Sequence, residues 1–283
     1  MSIRLIPASV IEKRLVEAIG SITFSPDPAI KQALQKGMDQ ETSELSIDVI
    51  NCLLKNLECA REDRVPLCQD TGSLVVFVEI GSDVHIEGGY LPRIIDRALQ
   101  TATQKYYLRA SVVKDPLYNR PNTGNNTPAI IHYRLSEGEG LTFKIAQKGG
   151  GAENMSRLKM FTPSSSEEDI IAFVLETVQI AGSRACPPLI IGIGIGGNFE
   201  TCAILAKESL LLPLNAVNQN ANYAKLEQRI LKTINESGIG AQGMGGKTTA
   251  LAVHIGFEPC HIASLPVAVN LQCHAHRHIE ITI

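Results

Sequence analysis

Leu189-Ile190-Ile191-Gly192-Ile193-Gly194-Ile195-Gly196-Gly197 is the stretch on which the fold turns. An apolar run of this length bounded by glycine reads as a fully buried strand, and Phe199 to Leu212 then carries a helical pattern. Gly192, Gly194 and Gly197 also satisfy G-x-G-x-x-G, the spacing of a dinucleotide site. The acidic residue that such a site needs about 20 residues further on is missing. Leu214 to Ala221 offers only Asn, Gln and apolar residues. The expectation is therefore a glycine-rich turn whose backbone amides approach an anion or a cluster. A nucleotide-binding protein using the glycine-rich loops stays as the remote alternative.

Outward from this strand, helices and strands mix without a strict βαβ period. Glu167 to Ala181 reads as a helix that Ser164, Ser165 or Ser166 caps, and Tyr223 to Ser237 as another. Leu251–Ile255 and Ile262–Val269 are short apolar stretches. Toward the N-terminus, residues 8–60 read as helical and Leu74 to Ile80 as a buried strand. Leu91 to Leu108 reads as a helix, and Ala129 to Leu135 as a strand with Leu141 to Ala146 as its expected partner. Lys148-Gly149-Gly150-Gly151 breaks the pattern. Leu271 to Ile283 alternates strictly, with Cys273, Ala275 and Arg277 on one face and His274, His276 and His278 on the other. The fold class is mixed α/β (α+β), helices around short mixed sheets, read as a single large domain over residues 1–283 with a helical part at 8–60.

Composition narrows the function. The chain has 283 residues, 44% of them hydrophobic and 19% charged, enough to bury a core. A net charge of −3 argues against an electrostatic nucleic-acid binder. No apolar run reaches a membrane span, and the start is too mixed for a signal peptide, so the expected compartment is the cytoplasm. Seven cysteines, an odd number, favour free, metal-bound or reactive thiols over a disulfide framework.

Three further patterns invite chemistry. Ala241 to Thr248 is a relaxed phosphate-loop pattern, but a helix precedes it where a true phosphate loop follows a strand. Its glycines and Lys247 suggest a pocket for a carboxylate. His274, His276 and His278 share a strand face, yet each step is about 7 Å, too far for three to bind one tetrahedral zinc. A solvated face is expected for His276 and His278. Cys52, Cys59 and Cys202 sit in helical patterns and are expected to be small buried hydrophobes. Cys68, Cys186 and Cys273 each stand where an apolar stretch meets polar or proline punctuation, and Cys before Pro is a recurrent iron–sulfur context.

These last segments carry a resemblance. Pro66-Leu-Cys68-Gln-Asp-Thr-Gly72, Asn122-Thr-Gly-Asn-Asn-Thr-Pro128, Lys148-Gly-Gly-Gly151, Ala185-Cys186-Pro-Pro188, Gly192-Ile-Gly-Ile-Gly-Gly197 and Cys273-His-Ala-His-Arg277 stand in one order. Together they resemble the class I, iron–sulfur fumarate hydratases and the related L-tartrate dehydratases, in their N-terminal half or alpha subunit. The resemblance implies that Cys68, Cys186 and Cys273 hold a [4Fe–4S] cluster with one open iron acting as a Lewis acid. It implies Asp70 and His261 as catalytic acid/base groups, and Gln69, Asp70, Arg109 and the amides around Gly151 as the dicarboxylate-binding set. From its residue chemistry alone, Asp70 before Thr-Gly is equally a turn former. Single-chain members continue into a second domain, so a chain stopping at Ile283 is expected to be an alpha subunit. A beta subunit would then complete the site in a homo- or hetero-oligomer. Reversible hydration of fumarate to malate is the favoured reaction, and dehydration of tartrate to oxaloacetate the alternative. The expected partners are that beta subunit and a small dicarboxylate, with no nucleic acid and no membrane.

Overall fold

The computed structural model describes residues 3–25 and 27–283. In chain order its elements are β1 (Arg4–Pro7), α1 (Ala8–Phe24), α2 (Pro28–Asp39), α3 (Glu44–Glu62), β2 (Ser73–Gly81), β3 (Val84–Glu87), α4 (Leu91–Lys105), β4 (Ile130–Ser136), β5 (Leu141–Lys148), α5 (Gly150–Glu153), β6 (Arg157–Phe161), α6 (Glu167–Ala181), β7 (Leu189–Gly197), α7 (Thr201–Ser209), α8 (Ala221–Asn235), β8 (Ala250–Cys260), β9 (Leu265–Gln272) and β10 (Arg277–Thr282). The fold is mixed α+β. Two compact units form, one from residues up to Asp27, Leu57–Gly150 and Arg277–Ile283, the other from Pro28–Asn56 and Gly151–His276. Among the described residues no helix is long and apolar enough to cross a membrane.

The first unit is built on a four-stranded sheet of order β10-β5-β2-β4. Leu74, Val76 and Val78 alternate along β2 and meet Phe143 and Ile145 of β5 in a core that α1 and α4 cover with Ile11, Leu15, Ile19, Ile94, Ile95 and Leu99. The helical residues recur at three- and four-residue steps, which turns one apolar stripe toward the sheet. The expected β4–β5 pair does not form. β5 runs antiparallel between β10 and β2, while β4 pairs parallel with β2 at the edge. Burial decides this: β5 is buried along most of its length and takes the inner place, and the largely exposed β4 takes the rim.

The second unit has a sheet of order β6-β9-β7-β8. β7 is central, and from Ile191 onward its isoleucines and glycines divide by face. Ile191, Ile193 and Ile195 pack with Val174 and Val178 of α6 and Ile230 and Ile234 of α8. Gly192 and Gly194 face α7, where a Cβ would lie 2.1 Å from the carbonyl oxygens of Ala206 and Cys202. These two glycines are therefore strand residues that let a helix backbone approach the sheet, and the expected turn begins only at Gly196 and Gly197, both with positive φ. α6 starts at the expected serine cap: Ser166 Oγ accepts from Asp169 N, and the Asp169 carboxylate accepts from Ser166 N at 2.8 Å. Such a cap is worth about 1 kcal/mol.

Three other expectations change. The alternation of Leu271–Ile283 is not one strand: β9 ends at Gln272, β10 begins at Arg277, and the chain leaves one unit for the other in between. His276 is only 1% exposed, so the face expected to be solvated is buried there. Cys52 and Cys59 are exposed on α3, because their positions fall off its buried stripe, whereas Cys202 is buried under the sheet as expected.

Candidate active site

Within the first unit, the segment from Pro66 to Gly72 is a loop held at both ends. Leu67 N donates to the Thr23 carbonyl at 3.0 Å, and the loop runs into β2 at Ser73. Asp70 sits in it half-buried with both carboxylate oxygens engaged. Oδ1 accepts from Gly72 N at 3.0 Å and Oδ2 from Gly150 N at 2.8 Å. The turn-forming role open to Asp70 is thus realised, and its second oxygen reaches the glycine run after β5. Each oxygen keeps a lone pair, so the carboxylate can still exchange a proton. Gly72 has φ 71, and a Cβ there would lie 2.2 Å from the Lys148 carbonyl oxygen. The Asp70 carbonyl accepts from Nη2 of Arg277 at 2.8 Å. Cys68 is half-buried and free, and Gln69 is exposed beside it.

Arg109 lies beyond α4, which ends at Lys105, three residues before the expected end. Its side chain is exposed. Asn126, itself 1% exposed, fixes the backbone beneath it: Nδ2 donates to the Arg109 carbonyl at 3.0 Å, and Oδ1 accepts from Ser111 N at 2.6 Å. An asparagine tolerates the positive φ of 63 found here. The polar segment Asn122–Pro128, read from the sequence only as a turn, is the support of Arg109.

Within the second unit, Cys186 ends a short 3-10 helix over Gly182–Ala185 in the left-handed region, at φ 54 and ψ 62. Its carbonyl accepts from His274 N at 3.4 Å, which brings the backbone next to Cys273 beside it. The His274 Nδ1 lies 3.1 Å from the Cys186 carbonyl and 3.1 Å from Gln242 Nε2. Nδ1 serves one of these at a time: bare, it accepts from Gln242, and protonated, it donates to the carbonyl. Gln242 also holds Pro187 O through its backbone N at 2.8 Å and its Nε2 at 2.7 Å. A Cβ on Gly151 would lie 2.9 Å from the Arg184 carbonyl, so this glycine lets α5 lie against the 3-10 turn. His261 is exposed in the β8–β9 turn, its Nδ1 accepting from Ala263 N at 3.1 Å.

The Gly-rich loop before β8 does receive a carboxylate, and it is the chain's own. Glu41 Oε2 accepts from Lys247 N at 2.8 Å, Thr248 N at 3.1 Å and Ser46 Oγ at 3.2 Å. Burial pushes the Glu41 carboxyl up, but backbone amides of Thr42, Lys247, Thr248 and Ser43 outweigh it and hold the group below its usual range. The Lys247 side chain instead lines a cleft of about 570 Å³ with Lys36, Gln40 and Leu214; Cys186, Cys273 and Gly151 do not line it. Its local donors do not mark Glu41 in the sequence as a partner of this loop, since Lys247 and Thr248 lie more than two hundred positions away.

Among the described residues no group of three or more His, Cys, Asp or Glu side chains is placed to hold a metal ion. The cysteine chemistry fits a different group. Cys68 in the first unit and Cys186 and Cys273 in the second are each half-buried thiols, and thiolate is the donor that an iron–sulfur cluster takes, one per iron, rather than several gathered on a single ion. Arg277 supports the same fit: it is 2% exposed, and its Nε has no hydrogen-bond partner among the described residues. A buried cation so sparsely satisfied suits a site that receives negative charge.

The comparisons with known proteins agree with these motifs. The profile of the family described as fumarate hydratase (Fumerase) matches residues 12–282. A Methanocaldococcus jannaschii protein, provisionally named L(+)-tartrate dehydratase subunit alpha, is 40% identical over 255 residues, 88% of each chain. L(+)-tartrate dehydratase alpha subunits of Escherichia coli and Shigella sonnei are 32% identical over 257 residues, 90% of this chain and 84% of theirs. With a family profile spanning nearly its whole length and such relatives over most of it, the chain belongs to the fumarate hydratase (Fumerase) family.

Proposed function

We propose that this chain is the alpha subunit of an iron–sulfur hydro-lyase acting on a four-carbon dicarboxylate. The observation that carries the reading is the similarity, over about nine tenths of the chain, to proteins named as tartrate dehydratase alpha subunits. Cys68, Cys186 and Cys273 would hold a [4Fe–4S] cluster. When bound, such a cluster has one iron without a protein thiolate and supplies a Lewis acid for a hydroxyl leaving group. Asp70 would move the proton: its carboxylate is fixed by two backbone amides, so it is aimed without needing a side-chain partner. Arg109 would take a substrate carboxylate in its planar fork, with its backbone fixed by Asn126. Gln69 and the Gly151 amide would complete the binding set, and His261 would serve as a second proton-transfer group.

L(+)-tartrate is the first substrate to test because the relatives carry that name, and fumarate the second because the family does. The alpha designation of the relatives supports a partner subunit here too. Anaerobic reconstitution of this chain with iron, sulfide and the partner subunit should produce oxaloacetate from L(+)-tartrate or malate from fumarate, and the faster of the two names the substrate. The chain alone should show neither. Turnover by the chain alone would remove the partner from the reading, and no turnover of either acid by the reconstituted pair would remove the reaction.

A further inference from the structure

We propose that Arg277 is a positioning residue that sets the Cys68–Asp70 loop. The inference rests on the proposed function for what the loop does, but on the first unit's geometry for how it is held. Arg277 opens β10, opposite Gln147 in the register of β10 and β5. The next residue of β5, Lys148, pairs with Ser73 at the start of β2. The ends of three neighbouring strands therefore meet at the loop. β2 continues it, β5 delivers the Gly150 amide to the Asp70 carboxylate, and β10 delivers the Arg277 guanidinium to the Asp70 carbonyl at 2.8 Å. Upstream, Leu67 N is tied to Thr23 O. Cys68 and Gln69 are thus spanned between two anchors, and Arg277 is the side-chain anchor on the downstream side.

Arginine suits this place on physical grounds. The residue is 2% exposed, yet among the described residues its guanidinium bonds a backbone carbonyl through Nη2 and leaves Nε without a partner. A buried cation carries a desolvation cost that one neutral acceptor does not offset. Structural support for a loop would be met more cheaply by a neutral donor. A charged one adds a fixed positive potential beside the loop, where it would favour a nearby anionic substrate or cluster.

The test uses the full chain, without and with iron and the partner subunit. In the iron-free chain, Arg277→Met should raise the alkylation rate of Cys68 by iodoacetamide by about tenfold or more, the scale of one lost hydrogen bond to a charged group. Cys186 and Cys273 should alkylate at the parental rate. Amide exchange at Gly72 and Gly150 should quicken with Cys68. Arg277→Lys, which keeps the charge and a donor, should restore much of the Cys68 protection. Should Arg277→Met fail to fold, Arg277→Gln replaces it with the same expectation. In the reconstituted pair, kcat should fall with KM nearly unchanged, and Arg277→Lys should restore much of it. Equal Cys68 alkylation in the Arg, Lys and Met or Gln chains would overturn the proposal, as would an unchanged kcat in a pair that turns over. The alkylation contrast does not depend on turnover. Its presence in a pair that turns over neither tartrate nor fumarate would break the proposed reaction and leave this inference standing.

Discussion

The Asp70 turn and the Cys186 corner carry motif residues of the same family, and they are held by opposite means. The turn is held largely by backbone: amides of Gly72 and Gly150 grip the carboxylate, and three strand ends meet at it. The corner is held by side chains: Gln242 and His274 secure Pro187 and Cys186, and both Cys186 and Gln242 carry positive φ. Strand ladders are cooperative and long-range, whereas a side-chain network fails with its weakest member. The two regions should therefore respond differently to substitution.

Asp70→Asn gives the largest expected effect. It keeps the shape and an acceptor for one amide but removes the exchangeable proton, so turnover of the reconstituted pair should fall by roughly 10²-fold or more while iron content stays parental. Loss of iron together with activity would make Asp70 a purely structural member of the turn. Next is Gly72→Ala, where the new Cβ meets the Lys148 carbonyl at 2.2 Å and φ is 71. Thermal unfolding followed by circular dichroism should show a loss of roughly 1–3 kcal/mol, the range for a residue forced into a sparsely populated backbone region. A neutral result would mean the turn is looser than its ladder implies. Gln242→Ala should cost less, about 1 kcal/mol for the lost hydrogen bonds. Its clearer signature should be faster alkylation of Cys186 and Cys273, with Cys68 unchanged, the reverse of the pattern expected at Arg277.

Acid should give the smallest and most graded effect, again divided between the regions. In the first unit, burial holds His278 below its usual value of 6.5, with Asp27 opposing. The unfolded chain takes this proton first, so stability should decline as pH falls below 6.5 toward the lower folded value. In the second unit, Glu41 is held below 4.5. Its contribution is complete above that pH and lost as pH falls through the depressed folded value. Glu41→Gln should flatten the lower window and leave the upper one, as read by circular dichroism melts in a chain without tryptophan. An unchanged lower window would show that the amides around Glu41 gain little from its charge.

What was legible in the sequence follows the range of the interactions. The serine cap of α6 and the strand at β2 depend on neighbours within a few residues, and both stand where expected. The glycines of β7 imitate a nucleotide-binding spacing because close helix–strand packing and phosphate approach both need a missing Cβ; only the oxygens of Cys202 and Ala206 tell them apart. The C-terminal alternation concealed a break, since period-two patterning says nothing about where a strand stops. At the site, the motif residues were visible as types, and their supports were not. Asn126 lay in a quoted motif without a role, while Arg277, Gln242 and Glu41 act on segments far away in sequence.

Iron and sulfide analysis after anaerobic reconstitution decides whether the motif cysteines do what the family resemblance implies. The parental chain with its partner should bind about four irons and four sulfides per alpha chain and show a broad absorbance near roughly 400 nm. Cys68→Ser, Cys186→Ser and Cys273→Ser should each lose this together with turnover, while Cys52→Ser and Cys59→Ser, changed on the exposed side of α3, should keep both. Full iron and sulfide in any of the first three variants, or none in the parent, would contradict the iron–sulfur reading of this chain.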